Sequence, residues 1–167
     1  MTVWAVVLAA GASSRFGSPK QRLLLEPVLE RLEAADVDGV VVVTGAHEIE
    51  TTAVTAHCPE WERGPGASLG CGLATLPPEA EAAVVVLADG PDLSPEAVDR
   101  VVARWRKTRP PAVAATYGGI RSLRDHRPFR KQRVAAYALV VRHAEGQQAV
   151  LLTRISAGYP GEGQWHL

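Results

Sequence analysis

VVLAAGASSRFGSPKQ, residues 6–21, is the stretch from which the rest of the chain can be read. An unbroken apolar run over residues 3–10, with Trp4 inside it, predicts a buried strand. The run breaks at Gly11 into a loop of small residues that also carries Arg15, Gly17 and Lys20. Small residues let backbone N–H groups approach a ligand closely, and glycine tolerates the tight turn this requires. Two cations at fixed spacing then suit a polyphosphate. Two common phosphate loops are excluded. The dinucleotide fingerprint needs closely spaced glycines as G-x-G-x-x-G, whereas only Gly11 and Gly17 stand here. The Walker loop needs Lys directly after its second Gly, whereas Ser18 and Pro19 intervene before Lys20. What remains is a phosphate loop of another kind, or an ordinary strand–turn–helix connection rich in small residues.

Downstream the chain alternates strand and helix. Leu25, Leu29 and Leu32 fall at i, i+4 and i+7 and give a helix one apolar face, with Pro27 expected in its first turn, where a missing N–H has no helical partner. Asp38-Gly39 turns the chain into the run 40–43, apolar at every position, as in a parallel strand covered on both faces. Thr44-Gly45 ends that strand, and residues 48–57 are expected to form a further helix. Residues 61–76, WERGPGASLGCGLATL, place Gly64, Gly66, Gly70 and Gly72 in a loop leading into a short helix near Ser68; four glycines also suit a bare flexible loop. Another all-apolar strand, residues 82–88, delivers Asp89 at its carboxyl end. Open parallel sheets bind ligands at that edge; the lesser alternative is that this aspartate merely caps the next turn. Asp92 or Ser94 makes the better helix cap, because Pro95 follows at the first helical position. Val98, Val101, Val102 and Trp105 then line one helix face, and residues 112–116 read as one more strand.

LAAGASSRFGSPK, residues 8–20, resembles the L-A-A-G-x-S-x-R-x-G-x-x-K signature of MobA-like nucleotidyltransferases, the family that includes the molybdenum-cofactor cytidylyl- and guanylyltransferases. Residues 61–73 resemble the family's W-x-x-G-x-x-x-S-L-x-x-G-L segment, ADGPDL its D-x-P element, and YGGIRS at 117–122 its Y-x-G-x-R-G-H-P. Over residues 3–122 the resemblance implies an α/β fold: a Rossmann-like parallel sheet with helices on both faces, of the nucleotide-diphospho-sugar transferase kind. It further implies that Leu8, Ala9, Ala10, Gly11, Ser13, Ser14 and Gly17 bind the nucleotide and that Gly66 and Ser68 lie against its base. Arg15 and Lys20 would neutralise triphosphate charge, and Asp89 would hold Mg²⁺. The reaction implied moves an NMP from an NTP to a phosphorylated small-molecule acceptor, such as a molybdopterin-type cofactor, and releases pyrophosphate. Ala10 in L-A-A-G and Pro19 before Lys20 match the form usual in the cytidylyl branch, whereas the guanylyl branch usually reads L-A-G-G. CTP is therefore expected over GTP.

From Leu123 the resemblance stops, and the family's remaining sheet, acceptor-side wall and second acidic metal-binding segment are not visible. Arg124, Arg127, Arg130 and Lys131 make residues 123–132 a basic joint, opposed by Asp125 alone. Residues 133–167 are similar to the opening of a Nudix hydrolase: apolar strands at 134–141 and 149–153 flank a turn at Glu145-Gly146. The Glu-rich metal-binding helix of that family does not follow, so none of its catalytic residues is carried over. The expected organisation is a nucleotidyltransferase domain over 1–122 without its usual distal half, the joint, and a C-terminal β-hairpin. A lone hairpin is marginal in water, so its apolar strands could lie on the sheet or pair with a second copy.

Composition bounds these readings. With 167 residues, 47% of them hydrophobic, the chain is long enough for a globular domain with a real core. The net charge of zero hides an asymmetry: residues 1–99 hold 5 Lys/Arg against 15 Asp/Glu, a net of −10, and residues 100–167 hold 13 against 3, a net of +10. Of the 18 Lys/Arg, 11 lie in residues 100–133, which raises a polyanion or nucleic-acid binder as an alternative. Trp105, Tyr117 and Phe129 are the aromatic residues there, too sparse for a stacking platform. No apolar run reaches the length of a membrane span and no basic n-region precedes the first one, so a cytoplasmic protein is expected. Cys58 and Cys71 lack metal-ligand spacing and read as buried or free thiols of a reducing compartment. His47, His57, His126, His143 and His166 likewise lack metal spacing and read as surface or packing residues. A non-catalytic nucleotide-binding remnant stands as the alternative to an enzyme.

Overall fold

The N-terminal apolar run forms strand β1 (Thr2–Leu8). In the computed structural model, which describes residues 1–12, 21–90, 92–110, 112–116, 119–122, 139–144, 147–148, 153–154 and 165–166, β1 lies between two parallel neighbours. These are β2 (Gly39–Thr44) and β4 (Ala80–Leu87), and Leu8 stands level with both Val43 and Leu87. Beyond β2, β3 (Val54–His57) adds a fourth parallel strand. Beyond β4 come three more strands: β5 (Val113–Thr116), β6 (Gly119–Ser122) and β7 (Leu139–Ala144). The order is β3-β2-β1-β4-β7-β5-β6, with β7 antiparallel to both β4 and β5. The short strand β8 (Gln147–Gln148) pairs back on β7, and β9 (Thr153–Arg154) pairs with β10 (Trp165–His166) as a separate ribbon.

Because side chains alternate along a strand, a strand covered on both faces feeds two cores. Val3, Ala5 and Val7 join one cluster with Leu25, Val28, Leu29 and Leu32 of helix α1 (Gln21–Glu33) and with Val98, Val101, Val102 and Trp105 of α3 (Pro95–Thr108). Val6 joins the opposite cluster with Leu69 and Leu73 of α2 (Pro65–Thr75). The fold is therefore a Rossmann-like sheet with helices on both faces. The connections β1–α1–β2 and β3–α2–β4 run in opposite directions along the sheet, so crossovers of one hand place α1 and α2 on opposite faces.

Local chemistry sets the helix limits. Ser94 caps α3, its Oγ accepting a hydrogen bond of 3.2 Å from the Ala97 N–H, and Pro95 occupies the first helical position. Helix α2 lies close on the sheet because Gly72 has no side chain: a Cβ there would stand 2.5 Å from Val6 Cγ1 and 2.7 Å from Val43 Cγ2.

Three local expectations are corrected. Helix α1 begins at Gln21, so Pro27 lies inside it and not in its first turn. Residues 54–57 form the edge strand β3 where a helix over 48–57 was expected. Ile49, Thr51, Thr52, Val54 and Thr55 are β-branched and helix-averse, and β2 offers an open edge for the last two to pair on. In the C-terminal segment β7 runs to Ala144, past the end expected at 141; residues 134–138 and 149–152 lie outside the described residues.

Two glycines of one helix should respond oppositely to alanine. Gly70 faces open space, so Gly70→Ala should stabilise by about 0.5–1 kcal/mol through helix propensity. Gly72→Ala drives a methyl into two strand valines and should destabilise by about 1–2 kcal/mol despite the same propensity gain. Urea unfolding of both variants reads the signs, and equal effects would mean that α2 does not lie on the sheet as described.

Candidate functional site

At the carboxyl edge of the sheet, β1, β2 and β4 end at one level. The Ala9 N–H donates to the Val43 carbonyl at 2.9 Å, and the Ala88 N–H donates to the Leu8 carbonyl at 3.1 Å. Ala9 and Ala10 are buried between the neighbouring strands, and the chain then emerges at Gly11, which is exposed. Asp89 follows Ala88 directly and is exposed. The small-residue loop and the carboxylate thus leave adjacent parallel strands side by side. They do so where the strand order diverges, with β2 to one side of β1 and β4 to the other. In open α/β sheets this divergence opens a crevice at the carboxyl ends in which ligands bind.

The turn after β2 fastens this edge to the α2 segment. The Ala46 N–H donates to the Ala10 carbonyl at 3.0 Å, and His47 Nε2 lies 3.1 Å from the Ala12 carbonyl. A carbonyl only accepts, so that ring nitrogen carries the proton and donates. Gly45 makes the approach possible: a Cβ there would stand 2.6 Å from Trp61 Cβ and 2.8 Å from the Ala10 oxygen. Trp61 opens a 3₁₀ turn, Trp61–Arg63, that leads through Gly64 into α2. Gly66 lies exposed in the first turn of α2 and Ser68 is buried one turn in, at 4% exposure. Gly45 therefore touches both the strand β1 exit and the start of the segment that holds Ser68.

Leu8, Ala9, Ala10, Gly11 and Asp89 are brought together at this edge, with Gly66 and Ser68 on the helix beside it. Ser13, Ser14, Arg15, Gly17 and Lys20 lie outside the described residues. His47 is the residue that sequence reasoning missed as a site element. Its available signal was its place in TGAH, directly after an all-apolar parallel strand. No group of three or more His, Cys, Asp or Glu side chains converges on a point among the described residues. The exposed Asp89 carboxylate fits a hard cation that keeps waters and substrate phosphates as its other ligands.

The sequence profile of the MobA-like NTP transferase domain matches residues 5–157. No protein of curated function matches the sequence. Solved structures do share the fold. Rv0371c from Mycobacterium tuberculosis H37Rv is 22% identical with a TM-score of 0.63, the match covering 85% of this chain and 71% of that one. Its homologue from Mycobacterium sp. strain JC1 is 25% identical with a TM-score of 0.60, covering 84% and 69%. CMP:2-keto-3-deoxy-manno-octonic acid synthetase, solved with CTP, is 16% identical with a TM-score of 0.56, covering 84% and 72%.

His47→Ala should cost about 0.5–1.5 kcal/mol of stability, the worth of one hydrogen bond. It should also speed amide hydrogen exchange at Ala46, whose N–H bond to Ala10 the ring supports from the next residue. His47→Gln, which can donate to the same carbonyl, should restore much of that protection. Unchanged exchange in the alanine variant would show that the ring does not hold the loop.

Proposed function

The chain belongs to the family of MobA-like NTP transferase domains, and on that footing we propose that it transfers an NMP from CTP, in preference to GTP, to a phosphorylated acceptor such as a molybdopterin-type cofactor. The observation that carries this reading is the shared exit of the L-A-A-G loop and Asp89 from adjacent parallel strands, tied by the Ala88–Leu8 hydrogen bond of 3.1 Å. Backbone N–H groups of a small-residue loop can face phosphate oxygens there, and a carboxylate stands one strand away.

In this reaction an acceptor phosphate oxygen attacks the α-phosphorus of the NTP, and pyrophosphate leaves with the electron pair of the broken P–O bond. Arg15 and Lys20 counter the triphosphate charge, with Ser13, Ser14 and Gly17 supplying small residues to the loop that carries them. Gly66 and Ser68 form the wall against the base, and the Gly45–His47 turn keeps that wall and the loop in one register. Asp89 would hold Mg²⁺, which when bound supplies charge neutralisation to phosphate oxygens. No general base is needed when the acceptor is already a phosphate anion. Positioning and electrostatics then supply the rate. Two neighbours of the same fold lend support by what was solved with them: CTP in the synthetase, and manganese in a further structure of the Mycobacterium tuberculosis protein, which is 22% identical with a TM-score of 0.57.

The reading treats residues 1–122 as the nucleotidyltransferase unit, 123–132 as a basic joint and 133–167 as a segment that opens like a Nudix domain. The family match runs on to residue 157, past residue 122 where the motifs stop, and β7 pairs with β4 within the sheet. A reducing cytoplasm suits the two free thiols.

Calorimetric titration should show CTP binding more tightly than GTP, with Mg²⁺ strengthening both, and a GTP preference would reverse the assignment. Lys20→Ala and Asp89→Ala should each weaken nucleotide binding by about 1.5–3 kcal/mol, the worth of a charge-assisted contact. Asp89 is exposed, so its removal should leave the melting temperature nearly unchanged. Pyrophosphate release with a phosphorylated pterin acceptor tests turnover; nucleotide binding without release with any phosphorylated acceptor would leave a binding module.

A further inference from the structure

Cys58 and Cys71 stand 13 residues apart in sequence, yet their Sγ atoms lie 2.6 Å from one another. The fold imposes this contact through two independently anchored elements. Cys58 follows β3 directly; it is fully buried and its N–H donates to the Thr44 carbonyl at 2.8 Å. Cys71 belongs to α2, which is seated on the sheet by Leu69, Leu73 and the side-chain-free contact at Gly72. The Cys71 thiol is half-buried and the sulfur behind it is not exposed, so a reagent reaches the pair through Cys71. Contact with Cys58, followed by burial, pushes the Cys71 thiol up to about 11, and the Glu60 carboxylate adds to the rise. At neutral pH the Cys71 thiol consequently rests protonated, and its thiolate is the minor form.

We propose that Cys58 and Cys71 are a reversible dithiol–disulfide site, oxidised by a low-molecular-weight disulfide of the glutathione class and closing the Trp61–Gly70 segment into a covalent loop. The chemistry balances as two exchanges. Cys71, as thiolate, attacks one sulfur of the small disulfide, whose S–S bond breaks and releases one small thiol. Cys58 gives up its proton and attacks the Cys71 sulfur of the mixed disulfide, releasing the second small thiol. Two protein thiols have lost two electrons and two protons, and the small disulfide has gained them. A dithiol reductant runs both steps backwards. Transient disulfides of this kind are the sort found in reducing compartments.

Neither cysteine is among the groups assigned to phosphate and metal, and the bond would form whether or not the chain transfers nucleotides. The segment it closes holds Trp61, Gly66 and Ser68. Fastening it to β3 fixes the wall that the preceding reading places against the base, and only this consequence depends on that reading.

The test uses the full chain under native conditions, with circular dichroism confirming that it stays folded. After incubation with oxidised glutathione and quenching with an alkylating agent, intact mass should show no alkylation, no glutathione and the loss of two hydrogens. Proteolytic mapping should link the Cys58 and Cys71 peptides, and dithiothreitol should restore two alkylatable thiols. Because a covalent loop of this size restrains the unfolded chain, the oxidised form should melt about 6–12 °C higher. Cys58→Ser should stop at a single glutathione adduct on Cys71, and the wild-type peptide map decides the case if that variant fails to fold. Two free thiols, a persistent adduct on Cys71, or linkage between two chains would each overturn the proposal.

Discussion

Everything in this molecule hangs on the burial of the centre of strand β1. Val3, Ala5, Val6 and Val7 have no exposed surface, and both edges of the strand are paired in parallel. The buried centre of such a strand is apolar, so polar ligand-binding side chains find no place there. Polar function is displaced to the point where the strand ends. There the chain needs residues small enough to pass between β2 and β4, and Ala9, Ala10 and Gly11 meet that need. The same constraint that builds the core thus creates a loop of bare backbone at the divergence of the sheet.

The turn at residues 45–47 follows from this. A bare loop has little packing of its own to hold it, and β2 ends beside it at the same level. Ala46 and His47 reach across to the Ala10 and Ala12 carbonyls, and Gly45 lets Trp61 close in from the other side. Two sequence-distant segments, one leaving β1 and one entering α2, are held in register by three residues of a third. Cys58 and Cys71 meet on the same flank, where β3 ends under α2.

The legible parts of the fold were those decided by local pattern. All-apolar runs mark β1, β2 and β4 because doubly covered strands admit nothing else, and Ser94-Pro95 marks the start of α3 because a cap and a first-turn proline are local chemistry. Strand β3 escaped because only Ala56 of its four residues is buried, so no apolar run signals an edge strand that rests on one neighbour. The start of α1 escaped because the apolar spacing Leu25, Leu29, Leu32 marks the helix only from its second turn. The placement of β7 between β4 and β5 is a long-range pairing that no window of sequence expresses. At the site, the loop and Asp89 were visible as motifs, whereas His47 and the sulfur pair exist only as contacts across the fold.

The opposite edge of the sheet is built on other principles. At the amino ends of the strands, the Val3 N–H donates to an Asp38 carboxylate oxygen at 2.7 Å while the Asp38 N–H donates back to the Val3 carbonyl at 2.7 Å. The Asp36 N–H donates to Asp99 Oδ1 at 2.7 Å, and Arg106 pairs with the Asp36 carboxylate, tying α3 to the turn before β2. Arg109 ends α3 in the left-handed region, at φ 43°, stacks its guanidinium 4.2 Å from the centre of the Trp105 ring and pairs with Glu81 at 2.9 Å. The hydrogen bond from Arg109 holds the Glu81 carboxyl below its usual range. These ion pairs are partly exposed, and such pairs add little stability. Their value is geometric: they fix where each strand begins, and with a shared register that also fixes where each strand ends. With such pairs gathered at the amino edge, small residues, His47 and Asp89 stand at the carboxyl edge among the described residues. The division of labour between the two edges is what makes the carboxyl end available for chemistry.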